Sequence, residues 1–276
     1  MAKLEHLNIG KNSLTGSIPT EIGKLTSLYK LELNKNSLNG PIPSEIGLLA
    51  TELKYLNLSY NDLNAGIPSS VQFLTSLETL DLRSSSLTGT IPSEIGLLSS
   101  LVYFMVKNND LNGIIPTEIK SLVSLEKLNL ELNSLTGFIP IELGDLSLLR
   151  ELDFDFNSLT GTIPTQIGLL TSLTYFKVDN NELRGSIPSE IGNMVNITKL
   201  QLGKNSLTGS IPTEVGNLVS MKDFWFARNT LTGSIPSQLG LCAKLKNLGG
   251  GNNNLAGSIP TEVVRSRCFF FILILY

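Results

Sequence analysis

Glu131, Asp155 and Asp179 recur at intervals of 24 residues, and Asp153 lies two before Asp155. If strand pairing brings these positions together, carboxylates on neighbouring strands stand roughly 5 Å apart and those on one strand roughly 7 Å apart. Like charges at that range repel. A cationic partner, either a basic peptide segment or a loosely held cation, would relieve the repulsion. The competing expectation is a solvated acidic strip offset by Lys107, Lys127 and Lys177. A second set, Tyr55, Tyr103, Met105, Tyr175 and Trp225, falls at related positions. Trp and Tyr are enriched among the residues that dominate binding energy, so Trp225 is the strongest single candidate. The plainer reading is a scatter of surface aromatics. Both sets are candidates for ligand binding and neither offers a catalyst.

Other reactive chemistry is scarce. The chain holds one His and two Cys in 276 residues, which leaves His-centred catalysis and His-cluster metal sites little material. His6 is expected on the solvated surface. Cys242 stands where other segments place a core Leu such as Leu218, so a buried structural thiol is expected. Cys268 lies in the tail, and no bridge between the two is inferred. The phosphate-binding G-x-x-x-x-G-K-[ST] loop and the kinase H-R-D signature are both absent. No enzyme, cofactor or metal is expected. A net charge of −3 argues against nucleic-acid binding, and 41% hydrophobic residues is too many for a disordered chain. Two glycosylation sequons occur, Asn57-Leu58-Ser59 and Asn196-Ile197-Thr198. Asn57 is expected to project from a sheet face, where a glycan would obstruct part of the surface.

The elements that must position these residues follow from a repeat. Prolines run from Pro19 and Pro43 through Pro68 to Pro260 in steps of 24 with a single 25, whose extra residue falls near Leu48–Glu52. An asparagine ladder runs in register from Asn12 to Asn253, with Ser85 at one rung. One segment shows the pattern: Leu125, Leu128 and Leu130, then Asn133, Leu135, Gly137, Ile139, Pro140, Leu143 and Leu146. The L-x-L step has the period of a strand with one side inward. The Asn amide suits a turn that leaves backbone groups unpaired. Ile-Pro forces an extended stretch, and the following T/S-E-I-G reads as one helical turn begun by proline and ended by glycine. No segment can bury its own Leu face, so the segments must stack into one core. The expected organisation is a single α/β solenoid over residues 1–264, about eleven repeats of 24.

These segments resemble the plant-type leucine-rich repeat of receptor-like kinase ectodomains, receptor-like proteins and polygalacturonase-inhibiting proteins, from Leu4 to about Val263. The resemblance implies a right-handed horseshoe or arc. It also implies a parallel sheet on the concave face and short 3-10 turns on the convex face. It further implies a non-catalytic module binding a protein or peptide partner, with receptor-like recognition and a secreted or cell-surface location. A truncated membrane-receptor ectodomain and a secreted hydrolase inhibitor are the alternatives, and an ice-binding protein is a remote one. The last is suggested by rows of hydroxyls such as Thr160, Thr208 and Thr232, whose plainer role is turn and helix-start chemistry.

Departures from the pattern carry expectations too. Ser85 should make a weaker rung, or else a hinge or ligand notch. Gly250 stands where a core Leu is expected and should weaken the last coil. No apolar leader precedes Leu4. Residues 265–276 form an apolar tail about half the length of a spanning helix. Phe269, Ile272 and Ile274 keep strand register, so the tail reads either as a partial twelfth strand or as a truncated membrane segment. Membrane association is left open.

Overall fold

The computed structural model describes residues 3–265. The expectations for Cys268 and for the segment from Phe269 to Tyr276 fall outside the described residues. Residues 3–136 form one compact unit and residues 137–265 a second.

Each L-x-L run becomes a three-residue strand, and the strands pair in parallel in chain order. In the first unit the central residues Leu7, Leu31, Leu56, Leu80, Phe104 and Leu128 stand opposite one another. In the second unit the series is Leu152, Phe176, Leu200, Phe224 and Leu248. The inward residues are buried, as the period-two reading requires, except Leu7 and Leu248 of the end strands, which are half-buried, and Phe104, Phe154, Phe176, Phe224 and Phe226 take Leu positions in the core. On the far side Pro, in extended conformation, precedes a 3-10 turn in each coil up to Ser237–Leu241, as at Pro188 before Ser189–Asn193, and in the last coil a short α-helix, Thr261–Arg265, follows Pro260. The glycine inside this turn serves packing rather than termination. A Cβ on Gly192 would stand 2.5 Å from the Glu214 carbonyl oxygen of the next coil.

The Asn ladder supplies the turn's hydrogen bonds. Asn181 donates through Nδ2 to the carbonyls of Phe154, Val178 and Asp179, and its Oδ1 accepts the Leu159 N–H at 2.9 Å. Ser85 achieves much of this differently. It is fully buried, and its hydroxyl donates to the Leu58 carbonyl at 3.0 Å. The Leu63 N–H, which a ladder Asn would accept, goes to the Ser85 backbone carbonyl at 3.0 Å. Ser86 sits at φ 53°, a conformation its neighbours in register do not share. The rung is rebuilt by a local change of backbone.

Gly250 is compensated as well. A Cβ there would collide with the Phe226 ring, which is itself buried. The aromatic one coil earlier fills the space that a Leu would take, so the expected loss of packing is offset by a large-for-small exchange.

The residue before each ladder Asn is left-handed: Leu132 at φ 55°, Phe156 at 55°, Asn180 at 54° and Arg228 at 58°. Left-handed conformation costs an L-residue roughly 1–2 kcal/mol, and Asn tolerates it better than Leu. Leu132→Asn should therefore stabilise the first unit by about 0.5–1 kcal/mol. A thermal unfolding midpoint that fails to rise would contradict this account of the turn.

Candidate functional site

The outward positions of the strands are less free than their sequence suggests. The Asn and Asp residues of their middle row are engaged with backbone: the side-chain oxygens of Asn57, Asp81, Asn129 and Asp153 each accept the N–H two residues on. This corrects the expectation for Asn57. It is buried, accepts from both the N–H and the hydroxyl of Ser59, and does not project as a glycan acceptor. Asn196 is exposed, with Nδ2 donating to the Thr171 carbonyl at 2.9 Å.

The nine binding candidates do not form one group. In the first unit Tyr55 lies under the Lys30 ammonium, 4.6 Å from its ring centroid. Tyr103 is exposed and Met105 half-buried. Glu131 is paired with Lys107 at 2.7 Å. In the second unit Tyr175 carries Lys199 over its ring at 5.2 Å, and Asp153 is paired with Lys177 at 2.9 Å.

Asp155, Asp179 and Trp225, by contrast, line one cavity of about 430 Å³ in the second unit. Its floor is the row after the middle row. Asp155 and Asp179 give way there to Gly203 and Ala227, and the loss of side chains opens the hollow. Gln201 and Trp225 of the middle row make one wall. The left-handed residues Phe156, Asn180, Lys204 and Arg228 make the rim. Trp225 is not the freely exposed ring anticipated from its position. It is half-buried and lies over Gly249, where a Cβ would collide with it. That contact accounts for its tolerance on a sheet face.

The two acids are held by the next coil's backbone. Asp155 Oδ1 accepts the Asp179 N–H at 2.8 Å, and Asp179 Oδ1 accepts the Gly203 N–H. Burial, reinforced by the Asp153 and Asp179 carboxylates, pushes Asp155 up to about 8 against the pull of its hydrogen bond and of Lys177. Burial pushes Asp179 up to about 6, opposed by the Gly203 N–H and by Lys177. Lys177 stands 3.9 Å from Asp155 and closer to Asp153. Among the described residues no group of three His, Cys, Asp or Glu is placed to hold a metal ion. Cys242 is buried, donates to the Val215 carbonyl at 3.2 Å, and is pushed up to about 11 by burial, which suits a packing role.

The rim residues Phe156, Lys204 and Arg228 were not singled out from sequence. Their common signal is position, one before each ladder Asn, because residue type varies freely there.

Family models decide the kinship. A leucine-rich repeat region model matches residues 50–162, and a Leucine Rich Repeat model matches residues 3–25, 172–194 and 196–218. The chain belongs to the leucine-rich repeat family. Among solved structures, this leucine-rich repeat chain is similar to a TDR receptor (33% identity, TM-score 0.94, 99% of this chain and 47% of that one). It is similar to the plant peptide hormone receptor RGFR1 in complex with RGF2 (33%, 0.90, 99% and 51%). It is also similar to the Arabidopsis receptor kinase HAESA ectodomain in complex with an extended IDA peptide hormone (30%, 0.84, 98% and 48%). The chain thus spans about half the length of these relatives. No curated protein matches it. Among the described residues no helix is long and apolar enough to cross a membrane.

Proposed function

We propose that the chain is a non-catalytic extracellular binding module. It takes a peptide across the sheet face of the second unit, with a basic side chain entering the cavity beside Asp155 and Asp179. The observation that carries this reading is the convergence of the buried Asp155 carboxylate, the half-buried Asp179 carboxylate and the Trp225 ring on one hollow, both acids having raised pKa values. An ammonium or guanidinium placed there would favour the ionised carboxylates that burial now disfavours. Hydrogen bonds to charged groups contribute about 1.5–3 kcal/mol each. The indole supplies contact area at low entropic cost. Two of the similar ectodomains hold peptide hormones in their solved structures, which supports a peptide as the ligand class.

The test is affinity selection of a random-peptide library on the full chain. Selected peptides should be enriched in Arg or Lys and should bind Asp155→Asn/Asp179→Asn at least tenfold more weakly. Binding to Tyr103→Ala should be unchanged. Peptides without basic residues, or with equal affinity for the double variant, would remove the acids from this role.

A further inference from the structure

We propose that the flank of the second unit binds a neutral polysaccharide chain laid across successive coils. The residue after each positive-φ glycine is a hydroxyl in five consecutive coils: Thr162, Ser186, Ser210, Ser234 and Ser258, all exposed. The fold does not demand this. The same register holds Ser17, Pro41, Gly66, Thr90 and Ile114 in the first unit, and Phe138 in the first coil of the second. No hydrogen bond engages the hydroxyls of Ser210, Ser234 or Ser258 among the described residues.

A cavity of about 730 Å³ lies along this row, and no charged residue lines it. Ser210, Ser234 and Ser258 meet Ile235, Pro236 and Pro260 there. The cavities beside Glu5 and Glu52, beside Asp155 and Asp179, and beside Asp110 all carry charge. Each hydroxyl both donates and accepts, while the Ile and Pro edges suit the apolar C–H faces of a sugar ring. Identical groups recur at the coil spacing of roughly 4.8 Å. A surface that repeats its chemistry is matched by a ligand that repeats its own, unlike the varied sheet face. Without a cation the groove gives an anionic polymer no advantage. Its concavity suits a chain rather than the flat surface of ice.

Titration of the full chain with xylohexaose, cellohexaose and maltohexaose tests the assignment by calorimetry. Saturable binding of at least one is expected, with at least a tenfold loss in Ser210→Phe/Ser234→Phe. That variant should fold, because Phe138 already occupies this register. Should it not, Ser210→Ala/Ser234→Ala removes the hydroxyls without added bulk and should still weaken binding at least threefold. Asp155→Asn should leave sugar affinity unchanged, which separates this site from the peptide cavity. Absence of saturable binding to all three oligosaccharides, or unchanged affinity in a folded double variant, overturns the assignment. So does ice-growth inhibition that the double variant loses while no sugar binds.

Discussion

Asn181→Ala should destabilise the second unit by about 3 kcal/mol, whereas Asn12→Ala should cost less than about 1 kcal/mol. The difference lies in what each side chain leaves behind. The Phe154 carbonyl keeps a donor in Asn157, and the Val178 carbonyl keeps one in Asn205. The Leu159 N–H, buried and bonded to Asn181 Oδ1, keeps none. An orphaned buried donor costs about 1–3 kcal/mol, to which the lost amide bonds add. Asn12 is exposed and donates only to the Ile9 and Gly10 carbonyls, which water can reach. The Ser85 rung adds a sharper expectation. Asn181→Ser alone should recover little, because the backbone change seen at Ser85–Ser86 requires a left-handed residue next in line. Glu182 would have to adopt that conformation at a cost of roughly 1–2 kcal/mol. Asn181→Ser/Glu182→Gly should recover about half the loss. The chain's single tryptophan, Trp225, lies in the second unit, so its fluorescence during urea unfolding reads the Asn181 variants, while far-ultraviolet circular dichroism of the full chain reads Asn12→Ala in the first unit. Equal losses for Asn181→Ala and Asn12→Ala would mean that the ladder does not act through buried backbone groups.

The fold was legible because repetition multiplies weak signals. One L-x-L is ambiguous, but the same step beside the same Asn and Ile-Pro, many times in register, leaves one stacked arrangement. The site was legible in part. Assigning alternate strand residues to the outer face put Asp155, Asp179 and Trp225 forward. The same assignment treated Asn57 and Asp153 as free, because it ignored the N–H two residues on that a short Asn or Asp accepts. The rim was hidden for a different reason. Left-handed backbone at Phe156, Lys204 and Arg228 is imposed by the coil, not by those side chains, so composition gives no sign of it. Contacts between coils are also encoded in the sequence. Gly249-Gly250 lies 24 residues after Trp225-Phe226, and the two large rings sit over the two missing side chains. A triple glycine that looks like decay is the complement of the aromatic pair before it.

The second unit should be less stable at pH 8 than at pH 5 by about 3–5 kcal/mol, an order-of-magnitude figure from roughly 1.4 kcal/mol per pH unit of displacement. The sign follows from the direction of the shifts. An unfolded Asp releases its proton near 4, while Asp179 holds its proton to about 6 and Asp155 to about 8. Between those values the native state binds more protons than the unfolded one, so stability falls as pH rises and levels off above about 8. The charged groups facing the pair in this unit are Asp153, Lys177 and Lys204, with Arg228 on the cavity rim, and only Asp153 adds repulsion. Asp155→Asn keeps an Oδ1 acceptor for the Asp179 N–H and removes the buried charge. It should raise stability at pH 8 and flatten most of the slope, as read by urea midpoints followed through Trp225. A midpoint in the parent chain that does not change from pH 5 to pH 8 would refute the raised values. The same linkage reaches the ligand. A basic side chain in the cavity requires ionised carboxylates, so peptide affinity should strengthen over the pH range in which stability weakens, with protons released on binding. Asp155→Asn should lose most of that pH dependence of affinity together with most of the pH dependence of stability, because Asp155 is the more strongly shifted of the two carboxylates and carries the larger share of both.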